Sequence, residues 1–460
     1  MPSAAPPSSA VLPPAASPFV TDPALPPRIG KYRVLKRLGE GATSEVLLAH
    51  DEFHDRPVAI KRMRLPPAGE GSDPRLYQRF YAAEAALVGR LQHPNVVQIH
   101  DAVDDAQAPY LVMEYVDGVT LRRYCRADAL LPLEQIVEIG FKCAMALGYM
   151  ARQGLIHRDV KPANLLAVVE HDQVVDVKVS DFGSVLNLRS EHTQIFRVGS
   201  LAYMSPEQLD GAAIDWRADI YSLAAVLYHL IAGRPPFEAP TQAALMHQIF
   251  GAEPPALTTL RAGVPESLDA LVRGALAKSP DARPADWDAF AQALSALVAR
   301  REIPRGKLQG VLDSERFNLL RGIDFFAGFG DVELWEVVHR ARWLRLKVGH
   351  AIYRKGQPGQ TFHILAQGEV EVHRDGNLAA TLGRGQTVGE MAYLAPSEAL
   401  RTHRADVVVT APVVTISFTP QTYEQLALGT RHLFDQAFIG VLVRRLHAAH
   451  EALQHPRRIL

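Results

Sequence analysis

The sequence predicts an α+β protein of two successive units, the first bilobal and the second a β sandwich or jelly roll closed by a long helix. Three observations predict it. Short alternating strands broken by glycine run from Tyr32 to Met113, helical apolar spacing takes over from Leu133 to Arg300, and short strand candidates return between Trp343 and Phe418. A chain of 460 residues exceeds one ordinary core and accommodates two domains with a tail.

Composition narrows the class of protein. Lys and Arg number 49 against 50 Asp and Glu, a formal charge of -1, so no overall field recruits nucleic acid or an anionic membrane. Cys125 and Cys143 are the two cysteines, both in sequence that reads as core helix or its approach, which argues against a disulfide framework and for a reducing compartment. Nowhere do about 18 uncharged apolar residues run together, and the basic start of a secretory signal is missing, so a cytoplasmic chain without a membrane span is expected. Residues 1–29 read as a disordered tail. Nine prolines fall within the first 27 positions and Asp22 is the one charge there, a composition that cannot bury a core. A docking or phosphorylated arm is the alternative use of such a tail.

The first unit is assigned to residues 30–300. Strands are expected at Tyr32–Leu35 and Glu45–His50, joined by the glycine-rich Gly39-Glu40-Gly41-Ala42-Thr43-Ser44, whose backbone amides can approach phosphate oxygens because no side chain intervenes. A plain hairpin turn would look the same. In the next strand, Val58-Ala59-Ile60-Lys61, apolar residues seat the strand and one Lys projects. Arg79–Leu91 has helical spacing, with Phe80, Ala83, Leu87 and Leu91 on one face and Glu84 beside it. Strands at Val96–Ile99 and Tyr110–Met113 lead to Glu114–Gly118, a turn between a small β lobe and a larger helical one. Helices are expected at Leu133–Gln153, Asp219–Ala232, Gln242–Phe250, Leu268–Ala277 and Asp286–Arg300.

Between the first two of these helices lies the densest chemistry in the chain. His157-Arg158-Asp159-Val160-Lys161-Pro162-Ala163-Asn164 followed by Asp181-Phe182-Gly183 sets a carboxylate able to orient a hydroxyl, a cation two residues later, an amide within reach of a metal ion and a second carboxylate into one strand-loop-strand segment. That is the equipment of phosphoryl transfer from a magnesium nucleotide.

Taken in order, these motifs resemble the eukaryotic-type protein kinase catalytic domain, most closely its bacterial Ser/Thr branch. Gly199-Ser200, Ser205-Pro206-Glu207 and Arg283 extend the match. The resemblance implies ATP and Mg2+ as cofactors and protein Ser/Thr hydroxyls as substrate. It implies a nucleotide site at Leu38, Gly39, Gly41, Val46, Ala59, Lys61, Glu84, Met113, Glu114, Val116 and Asp181. Lys61 would hold the α and β phosphates with Glu84 as its ion-pair partner, Asn164 and Asp181 would bind magnesium, and hinge backbone groups at Glu114 and Val116 would pair with adenine behind Met113. Asp159 would orient or accept the hydroxyl proton, and Lys161 would neutralise the transferring phosphoryl group. Glu207 and Arg283 would form a structural ion pair. Two positions depart from the family pattern, Ser44 for the third loop glycine and Ser200 for a Thr. Arg158 before Asp159 implies control by phosphate in the activation segment, with Thr193 the expected site and Ser190 the other hydroxyl.

Residues 301–320 are expected to be a linker, polar and broken by Pro304 and Gly306. In the second unit, 321–455, strands are expected at Trp343–Val348, Thr361–Leu365, Glu369–Arg374, Leu378–Leu382, Ala405–Thr410 and Val413–Phe418, with a final helix from Thr430 to Gln454. Phe362-His363-Ile364-Leu365, Gly368-Glu369-Val370 and Gly389-Glu390-Met391-Ala392 in this stretch resemble the cyclic-nucleotide-binding domain of bacterial regulators and cAMP-dependent kinases. The resemblance implies a cyclic nucleotide, cAMP or cGMP, with its phosphate on the amides of Gly389, Met391 and Ala392 and its ribose on Glu390. The family's phosphate Arg has no straightforward counterpart. With Val407 in register the position falls on His403, flanked by Arg401 and Arg404, either of which would serve if the loop adapts. The reading is therefore a Ser/Thr kinase with a cyclic-nucleotide sensor whose final helix is a candidate lid, dimerisation being left open. The rival is a catalytically idle kinase-fold scaffold whose second unit docks a partner protein.

Overall fold

The computed structural model describes residues 25–41, 44–63, 81–105, 108–171, 173–182, 185–187, 201–303, 312–395, 397 and 400–454. The small lobe is a six-stranded sheet in the order β1-β2-β3-β4-β6-β5, formed by β1 (Arg28–Ile29), β2 (Tyr32–Glu40), β3 (Ser44–Asp51), β4 (Arg56–Met63), β5 (Ile99–Val103) and β6 (Tyr110–Glu114). Its own core gathers Tyr32, Val34, Leu47, Val58, Ile60, Tyr110 and Val112, the inward alternates of these strands. Register sets Gly39 opposite Val46, Val46 opposite Lys61, and Ala59 opposite Met113, so the nucleotide candidates line one stretch of sheet.

Two expectations for this lobe change. Among the described residues the helix bearing Glu84 is seen at 81–85 and gives way to turns with i to i-3 hydrogen bonds through Arg90, with Gly89 at positive φ; Arg79 and Phe80 lie outside the described residues. The strand expected at Val96–Ile99 begins only at Ile99. Pro94 has no amide to donate, and the Asn95 side chain is committed to Asp176 and Val177, so this stretch forms a turn with a single parallel bridge from Val96 to Val179.

The helical lobe carries β7 (Gly118–Thr120), α1 (Leu133–Arg152), β8 (Leu155–Ile156), β9 (Leu165–Glu170), β10 (Gln173–Val179), β11 (Leu186–Asn187), α2 (Pro206–Asp210), α3 (Arg217–Ala232), α4 (Gln242–Gly251), α5 (Leu257–Leu260), α6 (Glu266–Ala275) and α7 (Trp287–Ala299). α1 and α3 are buried nearly all round, and in α1 the burial takes in Glu134, Gln135 and Lys142 among the apolar residues.

The stretch expected to be linker holds the start of a helix, α8 (Asp313–Arg321), and α9 (Asp331–Arg340) follows it; residues 304–311 lie outside the described residues. Phe317 and Leu320 of α8 and Trp335 of α9 are fully buried, and one continuous apolar core runs from Leu87 through both helices to Phe438. The polar composition of α8 concealed this, because the residues it buries are few and set against another element rather than its own neighbours.

The second unit is a six-stranded antiparallel roll of β12 (Arg342–Leu346), β13 (Ala351–Tyr353), β14 (Phe362–Arg374), β15 (Asn377–Leu382), β16 (Thr387–Val388) and β17 (Asp406–Phe418). Three helices accompany it: the short α10 (Glu390–Tyr393) and α11 (Pro420–Glu424) and the long α12 (Leu428–Gln454). Four expected strands fuse into two. Gly368 sits at φ 84° inside a run of register shifts, where a Cβ would lie 2.2 Å from the carbonyl oxygen of Pro412. A glycine that reads as a turn is here a bulge pressed against the partner strand. β13 and β16 are too short to show a period of two in sequence.

Candidate active site

The cleft between the lobes is built from β4, the Glu84 segment and the two loops that flank β9 and β10. Lys61 Nζ donates to Glu84 Oε1 at 2.5 Å and to Asp181 Oδ1 at 2.7 Å. Burial alone would lower the Lys61 ammonium; the two carboxylates outweigh it and hold its pKa above the usual lysine range. Asp181 responds in the opposite sense, its carboxyl held well below the ordinary value by the Lys61 charge despite burial. Across the cleft Lys161 Nζ donates to Asp159 Oδ2 at 2.6 Å, and Asn164 Nδ2 donates to the same oxygen at 3.0 Å and to the Asp159 carbonyl at 2.9 Å. The Asn164 carbonyl accepts from Ser180 N and Oγ, both at 2.9 Å, so the loop of Asp159 is tied to the residue preceding Asp181.

Backbone strain marks the same two loops. Arg158 has φ 66° and Asp181 φ 64°, conformations uncommon for residues with a Cβ. The first is held by Asp219, a buried carboxylate that accepts from His157 N at 2.7 Å and Arg158 N at 2.8 Å. Sequence reasoning passed over Asp219; its signal is a lone acid in the apolar run Asp219-Ile220-Tyr221-Ser222-Leu223. The hinge carries a second unforeseen pair, Lys178 Nζ to Glu114 Oε1 at 2.9 Å. Glu207 and Arg283 meet as expected, in a bidentate pair at 2.6 and 2.8 Å with the guanidinium also filling the carbonyls of Ala277, Arg217 and Lys278.

The cleft suits a magnesium nucleotide. Open space surrounds Gly39 where a side chain would stand, and Leu38 is exposed beside it. Val46 and Met113 are partly covered and Ala59 is buried, while Glu114 and Val116 are half-buried at the hinge. Among the described residues no three His, Cys, Asp or Glu cluster to hold a metal, so an ion between Asp181 and Asn164 would need phosphate oxygens to complete its shell, the usual habit of magnesium. Ala42, Thr43, Gly183, Ser190, Thr193, Gly199 and Ser200 lie outside the described residues.

The pocket of the second unit is arranged otherwise. Gly389, at φ 86°, turns the chain into the short helix α10, and a Cβ there would collide with the Tyr353 ring. Glu390 is buried beneath it, but Arg445 of α12 donates to its Oε1 and, at 2.8 Å, to the Thr387 carbonyl. The other Glu390 oxygen is buried with no hydrogen-bond partner among the described residues. Ala392 is packed against Gly359 and Met391 is exposed. His403 is buried, its ring stacked on Tyr353 at 3.7 Å, and takes no part as a guanidinium would. Arg401 is exposed, with its Nε on the Ala395 carbonyl at 3.1 Å, and Arg404 is exposed as well. Glu390 and Gly389 therefore come together with an arginine, though from α12; Arg401 and Arg404 are not brought to the carboxylate by any described contact.

Comparison with known proteins agrees with the cleft. Residues 32–296 match the protein kinase domain family. The chain belongs to that family. Residues 343–428 match the cyclic nucleotide-binding domain, so the chain carries both matches in succession. Its relatives include the serine/threonine-protein kinases PknB of Mycobacterium leprae, 37% identical over 267 residues, and PknB of Mycolicibacterium smegmatis, 36% over 299 residues. PrkC of Bacillus subtilis, also a serine/threonine-protein kinase, is 35% identical over 254 residues. These alignments cover 56%, 63% and 55% of this chain and 42%, 46% and 38% of the relatives, so the chain spans less than half the length of the curated relatives it matches. No helix among the described residues is long and apolar enough to cross a membrane.

Proposed function

We propose that this chain transfers the γ-phosphoryl group of ATP to Ser or Thr hydroxyls of protein substrates. The observation that carries the reading is the convergence of Lys61, Glu84 and Asp181 opposite the joined trio Asp159, Lys161 and Asn164. Lys61, held by Glu84, grips the α and β phosphates. Asp159 orients the substrate hydroxyl and takes its proton, and Lys161, already at that carboxylate, meets the charge that develops on the transferred group. Asp181 and Asn164 would hold magnesium, which when bound would supply neutralisation of the phosphate oxygens. Leu38, Gly39, Gly41, Val46, Ala59 and Met113 enclose the nucleotide, with hinge backbone at Glu114 and Val116 pairing with its base. A cytoplasmic setting, in keeping with the two free, buried thiols Cys125 and Cys143, belongs to the same proposal.

The experiment is phosphotransfer to a generic basic protein by the full chain and by Asp159→Asn. The variant is expected to lose about 10²–10⁴-fold in rate while still binding nucleotide. Equal, negligible rates in both would favour the scaffold. Phosphate on Thr193, mapped by mass after incubation with ATP, is part of the reading, with Arg158 receiving it.

The regulatory half of the proposal gives the second unit a cyclic mononucleotide. Its support is the Gly389 turn over a buried Glu390 with an unanswered oxygen. A ribose hydroxyl reaching Glu390 competes with Arg445, which links ligand to the placement of α12. Titration of the chain with cAMP and cGMP, with kinase rate followed in parallel, tests this; no binding and no change of rate would leave a docking module.

A further inference from the structure

The first two helices of the second unit are set into the catalytic lobe. Phe141 of α1, Phe317 of α8 and Trp335 of α9 form one aromatic cluster with centroids 5.0–6.1 Å apart, all three fully buried. Beside it Lys142, 2% exposed, donates to Asp313 Oδ2 at 2.9 Å and to Asp176 Oδ1 at 3.1 Å. One turn earlier Glu138 accepts from Ser314 N at 3.1 Å and Oγ at 2.6 Å. Burial opposes the charge on Lys142, and its two carboxylates, one from each unit, overcome that opposition.

From Asp176 the chain of contacts continues to the cleft. The oxygen that accepts from Lys142 also accepts from Asn95 Nδ2 at 2.8 Å. Asn95 Nδ2 reaches the Val177 carbonyl at 2.8 Å, and the Asn95 carbonyl accepts from Val179 N at 2.8 Å, two residues before Asp181. Asn95 lies in the segment that follows the Glu84 helix. His93, next but one, accepts from Asn95 N through Nδ1 at 3.0 Å, and its ring stands 6.4 Å from Trp335. The segment is thus pinned between β10 and α9.

We propose that Asp313 and Trp335 are positioning residues for phosphoryl transfer, acting through Lys142, Asp176, Asn95 and His93 on the strand that leads to Asp181 and the segment that follows the Glu84 helix. The inference rests on the kinase reading above. Lys61 must meet two carboxylates that arrive on different elements, and those elements share one anchor, Asn95, which the second unit braces. Removing Asp313 leaves Lys142 paired with Asp176, so the fold keeps its buried charge compensated while the brace is lost.

The test uses the full chain with Asp313→Ala, its conservative counterpart Asp313→Glu, and Trp335→Phe, which retains most of the aromatic volume. kcat, the KM for protein substrate, Mg-ATP affinity by titration and the thermal midpoint are measured for each. Asp313→Ala is expected to lose about 2- to 30-fold in kcat and in nucleotide affinity, with the protein-substrate KM unchanged and Asp313→Glu recovering most of the loss. Trp335→Phe loses less in the same direction, and it decides the matter should Asp313→Ala fail to fold. Wild-type kcat and nucleotide affinity in both variants, or a deficit that Asp313→Glu does not restore, overturns the proposal. A wild-type chain that binds Mg-ATP but transfers no phosphate overturns the functional reading instead, and the affinity arm still judges the brace.

Discussion

Two buried glutamates, one in each unit, are answered differently. Glu84 meets Lys61, which also reaches the more exposed Asp181, so the cation remains shared with a group at the mouth of the cleft. Glu390 meets Arg445 from a helix 55 residues later, and that guanidinium also binds the Thr387 carbonyl. The first arrangement leaves one cation shared between two carboxylates of the cleft. The second gives one Glu390 oxygen a cation from the same unit and leaves the other oxygen buried without a partner among the described residues. A motif resemblance of the same kind therefore leads to a cation shared between two carboxylates in one unit and to a carboxylate with a single cation partner in the other, and the difference lies in where the partner cation comes from.

Breaking the comparison at its stronger end has the largest effect. Lys61→Met leaves Glu84 and Asp181 without their cation, and phosphotransfer is expected to fall at least about 100-fold, read by radiolabel incorporation. Next is Gly389→Ala, which puts a Cβ against Tyr353 at a positive φ and should destabilise the chain by about 1–3 kcal/mol in denaturant unfolding. Both units then share an acid weakness. Burial pushes His93 down to about 3 and His363 down to about 4, against an ordinary value of 6.5. The folded state keeps both neutral while the unfolded chain takes up protons, so stability is full above about pH 6.5 and is lost as pH falls toward those values. At pH 5 each histidine should cost on the order of 1–2 kcal/mol, seen as a falling thermal midpoint between pH 7 and 5. The smallest effect sharpens the weaker end. Arg445→Ala releases Glu390, and affinity for cAMP or cGMP should rise roughly tenfold by calorimetric titration, the value of one charge-assisted contact.

The catalytic cleft was legible because its residues sit in short contiguous motifs. The spacing of Asp159, Lys161 and Asn164 is set by one loop, and Lys61 is set by the alternation of one strand. Helices such as Leu133–Arg152 showed themselves by apolar spacing over many turns. The illegible parts are short or remote. β13 and β16 hold too few residues to show a period, Gly368 reads as a turn though it forms a bulge, and α8 has a polar composition that hides Phe317 and Leu320. Arg445 stood in plain view at the basic end of the last helix, yet nothing local pairs it with Glu390.

By itself the sequence determined the order of the two units and the side-chain types and spacing found in the cleft, because local backbone geometry suffices for these. Only the tertiary structure decided that Arg445 pairs with Glu390, that Asp219 holds the strained loop before Asp159, and that Asp313 shares Lys142 with Asp176 across 171 residues of chain. Those pairings depend on which buried charges the packing of distant helices brings within hydrogen-bond reach, and desolvation makes each of them obligatory once the helices are in place.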